Sequence, residues 1–255
     1  MTASGPARWE VTGAARPGGP VRDDSIPWGR PAEAWIMGDV KQRTKNVAPG
    51  PSEHEPELSA YQTEMRDRLL AAPVVPAPEP WRPVFAHPYG VPVGGLLGIG
   101  FASDPGTGHD LVMVVSHDGH GLVDAVTGEK IARDRDPDPE DSTPDAVADL
   151  SCPGLGPIAG SRVHIAGLFG GGLHSTTEDG WCVEVVTPAW PNERVLLSRD
   201  GGLPHAGPHA ERWWHIVHVN CSTFRAAGFS PSGRTVAVAT SSDLALWTRD
   251  TSRLG

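Results

Sequence analysis

Histidine and aspartate crowd into one short turn of the sequence. His117, Asp118 and His120 stand within four residues, and His109 precedes them closely. Imidazole nitrogens and carboxylate oxygens bind metals, so this turn is a candidate metal site. An Asp-Gly turn between two apolar strands needs no metal, however, because glycine accepts a positive φ and aspartate bonds its own backbone. We therefore predict a structural turn and keep His117, Asp118 and His120 as the candidate metal ligands.

Two further histidine pairs predict no shared metal. His205 and His209 lie in a loop rich in glycine and proline. His215 and His218 are three residues apart in a predicted strand, so their side chains point to opposite faces. One metal ion cannot easily bind both, and solvated or core histidines are the better interpretation.

Acidic residues alternate along one predicted loop with a spacing typical of a calcium site. They are Asp134, Asp136, Asp138, Glu140 and Asp145. A calcium loop needs glycine at its sixth position for a sharp turn, and Pro139 stands there instead. We predict a solvated acidic loop between strands.

A glycine-rich stretch, residues 167–174, is flexible enough to approach a ligand closely. It lacks the Gly-Lys-Ser/Thr ending of a phosphate loop, since His174 and Ser175 stand at that point. Ser230 and Ser232 do not lie in a Gly-x-Ser-x-Gly elbow, so hydrolase chemistry finds no support. We predict no catalytic residues and no cofactor, and we place His174 on a loop near a binding face.

Tryptophans are the side chains best suited to a contact surface. Trp213 and Trp214 are adjacent in a predicted strand, so one should pack inward while the other points outward. An exposed tryptophan is costly to leave in water and often marks a binding surface. We predict that Trp181, Trp213 and Trp214 contribute to binding with His174, and core packing is the alternative.

The strands that must position these residues are clearest at 224–249. Three short strands are separated by turns at 231–233 and 241–243. In the middle strand Val236 and Val238 share one face, and alanines share the other. Both faces are apolar, so this strand is predicted to be buried on both sides.

The same order of elements occurs earlier in the chain. A first copy has strands at 98–103, 110–116, 121–126 and 130–133, with turns between successive strands. We place a third copy between the two, with strands at 162–166, 181–186 and 194–198. Such internal repetition is typical of repeat architectures, whose units cannot bury their apolar faces alone.

A Phe-Ser-Pro-Ser-Gly turn at 229–233 precedes an apolar strand, and Trp247 closes the next strand. This pattern resembles the inner strands of a WD40-type β-propeller blade, over roughly residues 95–250. The resemblance implies propeller-like antiparallel sheets, of which four to eight usually close a ring. Three copies leave open a degenerate fourth blade from the first fifty residues, a β-sandwich, or a ring completed by another chain.

The first eighty residues are predicted to be an N-terminal extension. Leu58, Tyr61, Met65 and Leu69 recur at helical spacing, which predicts one helix at about 57–72. A proline-rich run then ends the helix and serves as a stiff linker to the β domain at 81–255.

Composition limits the classes of partner. The formal charge is −10, from 31 acidic and 21 basic residues, so nucleic acid and anionic membranes are disfavoured. Three widely spaced cysteines predict no disulfide framework, so a cytoplasmic setting is the simplest interpretation. Only three lysines beside 31 glycines and 26 prolines indicate a bacterial source. We predict a non-catalytic interaction module, such as an inhibitor or immunity-type protein or an assembly subunit with a basic partner. The alternative is a metal-dependent enzyme or small-ligand binder that uses the histidine loops.

Overall fold

The computed structural model describes residues 57–87, 90–144, 149–190, 192–199 and 213–249. In these residues the chain is mainly β, with one helix, α1 (Ala60–Ala71). The strands of the first half are β1 (Arg82–Pro83), β2 (Val91–Pro92), β3 (Leu96–Ser103), β4 (Asp110–Ser116), β5 (Gly119–Asp124) and β6 (Lys130–Asp134). Those of the second half are β7 (Ser151–Pro153), β8 (Arg162–His164), β9 (Ala166–Gly167), β10 (Trp181–Ala189), β11 (Asn192–Arg199), β12 (Trp214–Val219), β13 (Phe224–Phe229), β14 (Thr235–Thr240) and β15 (Asp243–Thr248). The predicted fourth blade, His205 and His209 lie outside the described residues.

Four antiparallel sheets are present in the described part of the chain, and none of them closes on itself there. The N-terminal sheet has the strand order β6-β5-β4-β3-β9, and the middle sheet has the order β10-β11-β12. The C-terminal sheet has the order β1-β15-β14-β13, with β2 also paired to β15. A small sheet consists of β7 and β8. The predicted antiparallel β class is therefore confirmed.

The C-terminal sheet lies between two others. Val236 and Val238 of β14 pack in a cluster with side chains of the middle sheet. Ala237 and Ala239 pack in a second cluster with side chains of the N-terminal sheet. Every residue of β14 is buried. The prediction of a strand covered on both faces is confirmed, because alternating side chains supply a separate apolar surface to each neighbour.

The N-terminal sheet follows the predicted first copy closely. Its strands β3 to β6 form a meander with hairpin turns at the predicted positions. On its other face, Leu111 and Met113 pack against Cys152, Val163 and other residues of the small sheet region. This sheet is therefore also covered on both sides.

The predicted third copy does not form one sheet. β8 pairs with β7 in the small sheet, whereas β10 and β11 belong to the middle sheet. Between them the chain passes the edge of β3, where β9 pairs, and then reaches β13, where the Phe229 N–H donates to the His174 carbonyl. A strand pattern alone predicts that strands exist, but not which neighbours they pair with.

Two strands before the first copy complete the C-terminal sheet. β1 and β2 both pair antiparallel with β15, the last strand of the described chain. The Val84 N–H also donates to the Leu246 carbonyl at 2.9 Å. Residues from the two ends of the described region therefore share one sheet, which covers an edge that would otherwise be unpaired.

Helix α1 begins at a capping box. The Ser59 hydroxyl accepts from the Gln62 N–H, and the Gln62 side chain accepts from the Ser59 N–H. Pro73 follows the last turn, so the observed helix confirms the one predicted at about 57–72. Of the predicted apolar stripe, Tyr61 is exposed and Leu69 packs against the middle sheet.

A buried arginine holds the end of α1 on the middle sheet. The Arg194 Nη1 donates to the Ala72 carbonyl at 2.6 Å, and Nη2 donates to the Leu70 carbonyl at 2.7 Å. These carbonyls lack partners within the helix, and the negative end of the helix dipole favours a cation. All described residues, the helix included, belong to one compact unit.

Two glycines let the end of β8 and the start of β9 lie against β3. A Cβ added to Gly100 would stand 2.1 Å from the carbonyl oxygen of His164, and one added to Gly98 would stand 2.7 Å from that of Ala166. Both contacts are far shorter than van der Waals distance and involve backbone atoms. Glycine is therefore required at these two positions by close approach.

Gly100→Ala is expected to lower the free energy of unfolding by about 2 kcal/mol, because the neighbouring backbone must move to admit the new methyl group. Gly121→Ala in β5 is the matched control, since its Cβ would meet nothing within 4 Å. The control should be neutral or stabilise by about 0.5 kcal/mol. Urea unfolding compares the two, and equal effects would contradict the close approach.

The strands of these sheets run between two common ends, which we call the Trp190 end and the Asp110 end. The Trp190 end contains the turns and loops at 93–95, 117–118, 189–190, 220–223 and 241–242, together with Asn192. The Asp110 end contains those at 104–109, 125–129, 177–180 and 230–234. Backbone bonds from Leu96 to Ser241 and from Ser241 to Thr223 hold the first set together.

Side chains tie neighbouring sheets together at the Asp110 end. Asp110 accepts hydrogen bonds from the 230–235 turn, and Arg249 pairs with Asp179.

Nearby, Asp124 accepts from backbone N–H groups and from His109 at 2.8 Å. Burial alone would raise the pKa of Asp124, but these hydrogen bonds outweigh it and leave the pKa lowered.

Candidate binding face

Two clefts open at the Trp190 end, one on each face of the C-terminal sheet. Cleft 1 has a volume of about 310 Å³ and lies between the N-terminal sheet and residues 91–94. Cleft 2 has a volume of about 540 Å³ and lies between the C-terminal and middle sheets. Both volumes fall within the range of small-ligand or side-chain pockets.

Cleft 2 is lined by both apolar and polar side chains. Its apolar lining comes from Val74, Val217, Val219, Val238 and Ala245. Its polar lining comes from His87, His218, Asn220, Cys221, Ser222, Thr240 and Asp243. Apolar surface in such a cleft buries a side chain or ligand, and polar groups orient it.

Asp243 places a fixed negative charge in cleft 2. The Ser242 hydroxyl donates to its carboxylate, and the Thr240 hydroxyl lies 3.4 Å from the same oxygen. The Asp243 N–H donates to the Thr240 hydroxyl at 3.1 Å. The hairpin between β14 and β15 therefore holds this carboxylate in one orientation beside the valines.

His218 is an uncharged member of the cleft wall. Burial lowers its pKa, and the nearby positive charge of Arg194 lowers it further. Its Nε2 lies 3.3 Å from Asn192 Oδ1, and Asn192 Nδ2 donates to the Ala189 carbonyl at 3.0 Å. The cleft wall is thus hydrogen-bonded to the hairpin between β10 and β11.

Trp190 stands at the tip of that hairpin. Ala189 and Asn192 are paired across it, and the Trp190 side chain is 83% exposed. By contrast, Trp81, Trp213 and Trp247 are buried. Trp190 is therefore a large apolar side chain displayed to solvent beside a cleft.

The tryptophans predicted to bind are not displayed in this way. Trp181 is 2% exposed, and its ring meets Trp81 edge-on at 5.7 Å and Trp214 at 6.0 Å. Trp214 is half-buried in the same cluster. Trp213 is 6% exposed and packs with Leu196, close to α1. The structure brings Trp181 and Trp214 together as core residues of the middle sheet.

His174 lies apart from these tryptophans. Its side chain is exposed, and its carbonyl accepts the Phe229 N–H at 2.7 Å, at the edge of β13. The sequence alone assigned no role to Trp190. The feature of the sequence that could have identified Trp190 is its position between Pro188 and Pro191, in a turn that joins two predicted strands.

The three candidate metal ligands are divided by the turn that carries them. His117 and Asp118 are exposed at the hairpin tip, whereas His120 is buried and its Nε2 lies 3.2 Å from the Ser142 carbonyl. Among the described residues, no group of three histidine, cysteine, aspartate or glutamate side chains is placed to hold a metal ion. In the acidic loop, the Asp134 carboxylate accepts the Asp136 N–H at 3.0 Å.

No family model matches this chain, and searches of curated proteins and of solved structures find no match. Across the described residues, the helix is too short and too polar to cross a lipid bilayer.

Proposed function

We propose that this chain is a non-catalytic protein-interaction module that contacts its partner through the Trp190 end. The observation that carries the proposal is the 83% exposure of Trp190 at a hairpin tip. Binding removes such a side chain from water, and tryptophan dominates the energy of many interfaces. Asn192, beside this hairpin tip, is hydrogen-bonded to His218 in the wall of cleft 2, so the indole lies next to the cleft.

The partner that fits best is a basic protein. A lysine or arginine side chain entering cleft 2 could lay its aliphatic stem on Val217 and Val219 and place its charge at Asp243. The Trp190 ring offers a cation–π surface outside the cleft. The formal charge of −10 attracts a positively charged partner over a longer range.

A propeller-like scaffold for this contact is part of the proposal. The small, N-terminal, C-terminal and middle sheets pack in succession, and β1 and β2 complete the last sheet in sequence. We favour a propeller-like arrangement over a two-layer sandwich because four sheets pack in succession. We place the module in the bacterial cytoplasm, in a complex with a different protein.

Photo-crosslinking tests the proposed surface. A benzophenone amino acid is introduced at position 190 or, as the control, at position 169, because Phe169 is also an exposed aromatic residue. After irradiation in the native host, position 190 should yield one dominant crosslinked protein that position 169 does not. That protein is then purified for direct binding measurements.

Trp190→Ser is expected to weaken binding of the crosslinked protein by about thirtyfold, the loss typical of a hot-spot tryptophan. Phe169→Ser should change the dissociation constant by less than about twofold. Circular dichroism and thermal unfolding show whether both variants keep the wild-type fold. Unchanged affinity of the folded Trp190→Ser variant would overturn the proposal.

A further inference from the structure

Cleft 1 is a second hollow, separated from cleft 2 by the C-terminal sheet. Its apolar walls are formed by Val91 and Val93 on one side and by Val114 and Val123 on the other, with Leu244 between them. The volume of about 310 Å³ is at the lower end for ligand pockets. It suits a small molecule and is too small for a folded peptide segment.

The floor of cleft 1 is open because Gly121 has no side chain. Gly121 lies in β5, between Val114 of β4 and Arg133 of β6. A Cβ there would meet nothing within 4 Å, and its φ is not in the left-handed region. Neither backbone strain nor close approach requires glycine here, unlike at Gly100. The effect of this glycine is to leave space.

The polar groups of cleft 1 carry a net positive charge. Lys130 and Arg133 line one side, and Asp118 lines the mouth. The Arg133 Nη2 donates to the Asp118 carbonyl oxygen at 3.2 Å, which fixes the guanidinium and leaves other N–H groups for a ligand. The Ser116 hydroxyl already donates to the Gly119 carbonyl. Two cations therefore face one carboxylate in a chain that is acidic overall.

We propose that cleft 1 binds a small amphiphilic carboxylate. Its apolar body would lie over Gly121 and against the valines, and its carboxylate would meet Arg133 and Lys130. Arginine binds carboxylates through two parallel hydrogen bonds, and contact with the valines supplies the hydrophobic part of the affinity. This site is independent of the protein contact proposed for Trp190 and cleft 2.

Three decyl compounds test the site on the intact protein by isothermal titration calorimetry. Decanoate should bind more tightly than decanol, and decyltrimethylammonium should bind most weakly, because the rim of the cleft is cationic. Arg133→Met should weaken decanoate binding by about fivefold to tenfold and leave decanol binding unchanged. Equal binding of all three compounds would overturn the assignment of an anionic ligand.

Substitutions at Gly121 test whether decanoate binds in cleft 1. Decanoate affinity should fall in the order Gly121→Ala, Gly121→Val and Gly121→Leu, with a loss of about tenfold or more for leucine, because each larger side chain fills more of the cleft. Gly172→Leu is the control, since a Cβ at this loop position also meets nothing within 4 Å. The graded series keeps the test valid if the leucine variant does not fold. Full decanoate affinity in the folded Gly121→Val variant would overturn the proposal.

Discussion

Replacement of Asp110 by alanine is expected to lower the free energy of unfolding by about 3 to 4 kcal/mol. This buried carboxylate belongs to β4 of the N-terminal sheet. One of its oxygens accepts hydroxyl hydrogen bonds from Ser230, Ser232 and Thr235, at 2.7 to 2.8 Å. All three donors belong to the turn and strand of the C-terminal sheet, so one anion fastens two sheets together. Alanine leaves these hydroxyls without their shared acceptor, and charge-assisted bonds are the stronger class.

Asp110→Asn separates the effect of charge from the effect of shape. The amide keeps one acceptor oxygen but loses the negative charge, so about half of the alanine effect is expected. Chemical denaturation of the two variants measures the loss. Hydrogen exchange should also quicken at the Arg234 and Thr235 amides, whose N–H groups donate to Ser232 and Ser230. A loss below about 1 kcal/mol for Asp110→Ala would show that the network does not hold the sheets together.

Replacement of Arg249 by methionine is expected to cost about 3 kcal/mol. The side chain is 2% exposed and donates to both oxygens of Asp179, at 2.5 and 2.6 Å. Its Nε donates to the Gly233 carbonyl at 2.9 Å, and its guanidinium lies 4.7 Å from the centre of the Trp81 ring. Methionine keeps much of the apolar volume of the arginine side chain. The decrease in the free energy of unfolding therefore measures mainly the ion pair and the cation–π contact. Arg66→Met removes an exposed ion pair with Asp67 and should cost less than about 0.5 kcal/mol.

The Arg249 pair also predicts how stability depends on pH. Hydrogen bonding to Arg249 outweighs burial and lowers the pKa of Asp179 from its ordinary value of 3.8 to about 2. A carboxyl whose pKa is lowered on folding stabilises the protein above its unfolded pKa, and this contribution disappears as the pH falls through the folded pKa. About 2 kcal/mol should therefore be lost between pH 4 and pH 2. Arg249→Met should lack this component in urea unfolding at the two pH values, and an unchanged acid dependence would contradict the assignment.

Local pattern was enough to predict the strands of the first and last copies. Val236 and Val238 alternate with alanines, and the turn after Ser116 contains an aspartate and a glycine, so both strands and turns are specified by neighbouring residues. The same reasoning predicted the helix, because four apolar residues recur at helical spacing over residues 58–69 and Pro73 ends the pattern. These features depend on contacts that are close in sequence.

Pairings between distant segments could not be predicted in the same way. β1 and β2 are two residues long and carry no alternating pattern, yet both complete the sheet of β15. The role of Trp190 depends on its exposure, which in turn depends on the pairing of β10 with β11. Trp181 has the same residue type but lies between two sheets. Composition cannot distinguish these two tryptophans, because burial is set by the tertiary arrangement.

The most direct test of the binding face is hydrogen exchange of the chain with and without its purified crosslinked partner. Protection on binding should map to the Trp190 end, in peptides that cover the β10–β11 hairpin and residues 220–223 and 241–243. Peptides that cover residues 104–109 and 230–234 at the Asp110 end should exchange at unchanged rates. Protection confined to the Asp110 end, with the Trp190 hairpin unaffected, would contradict the account.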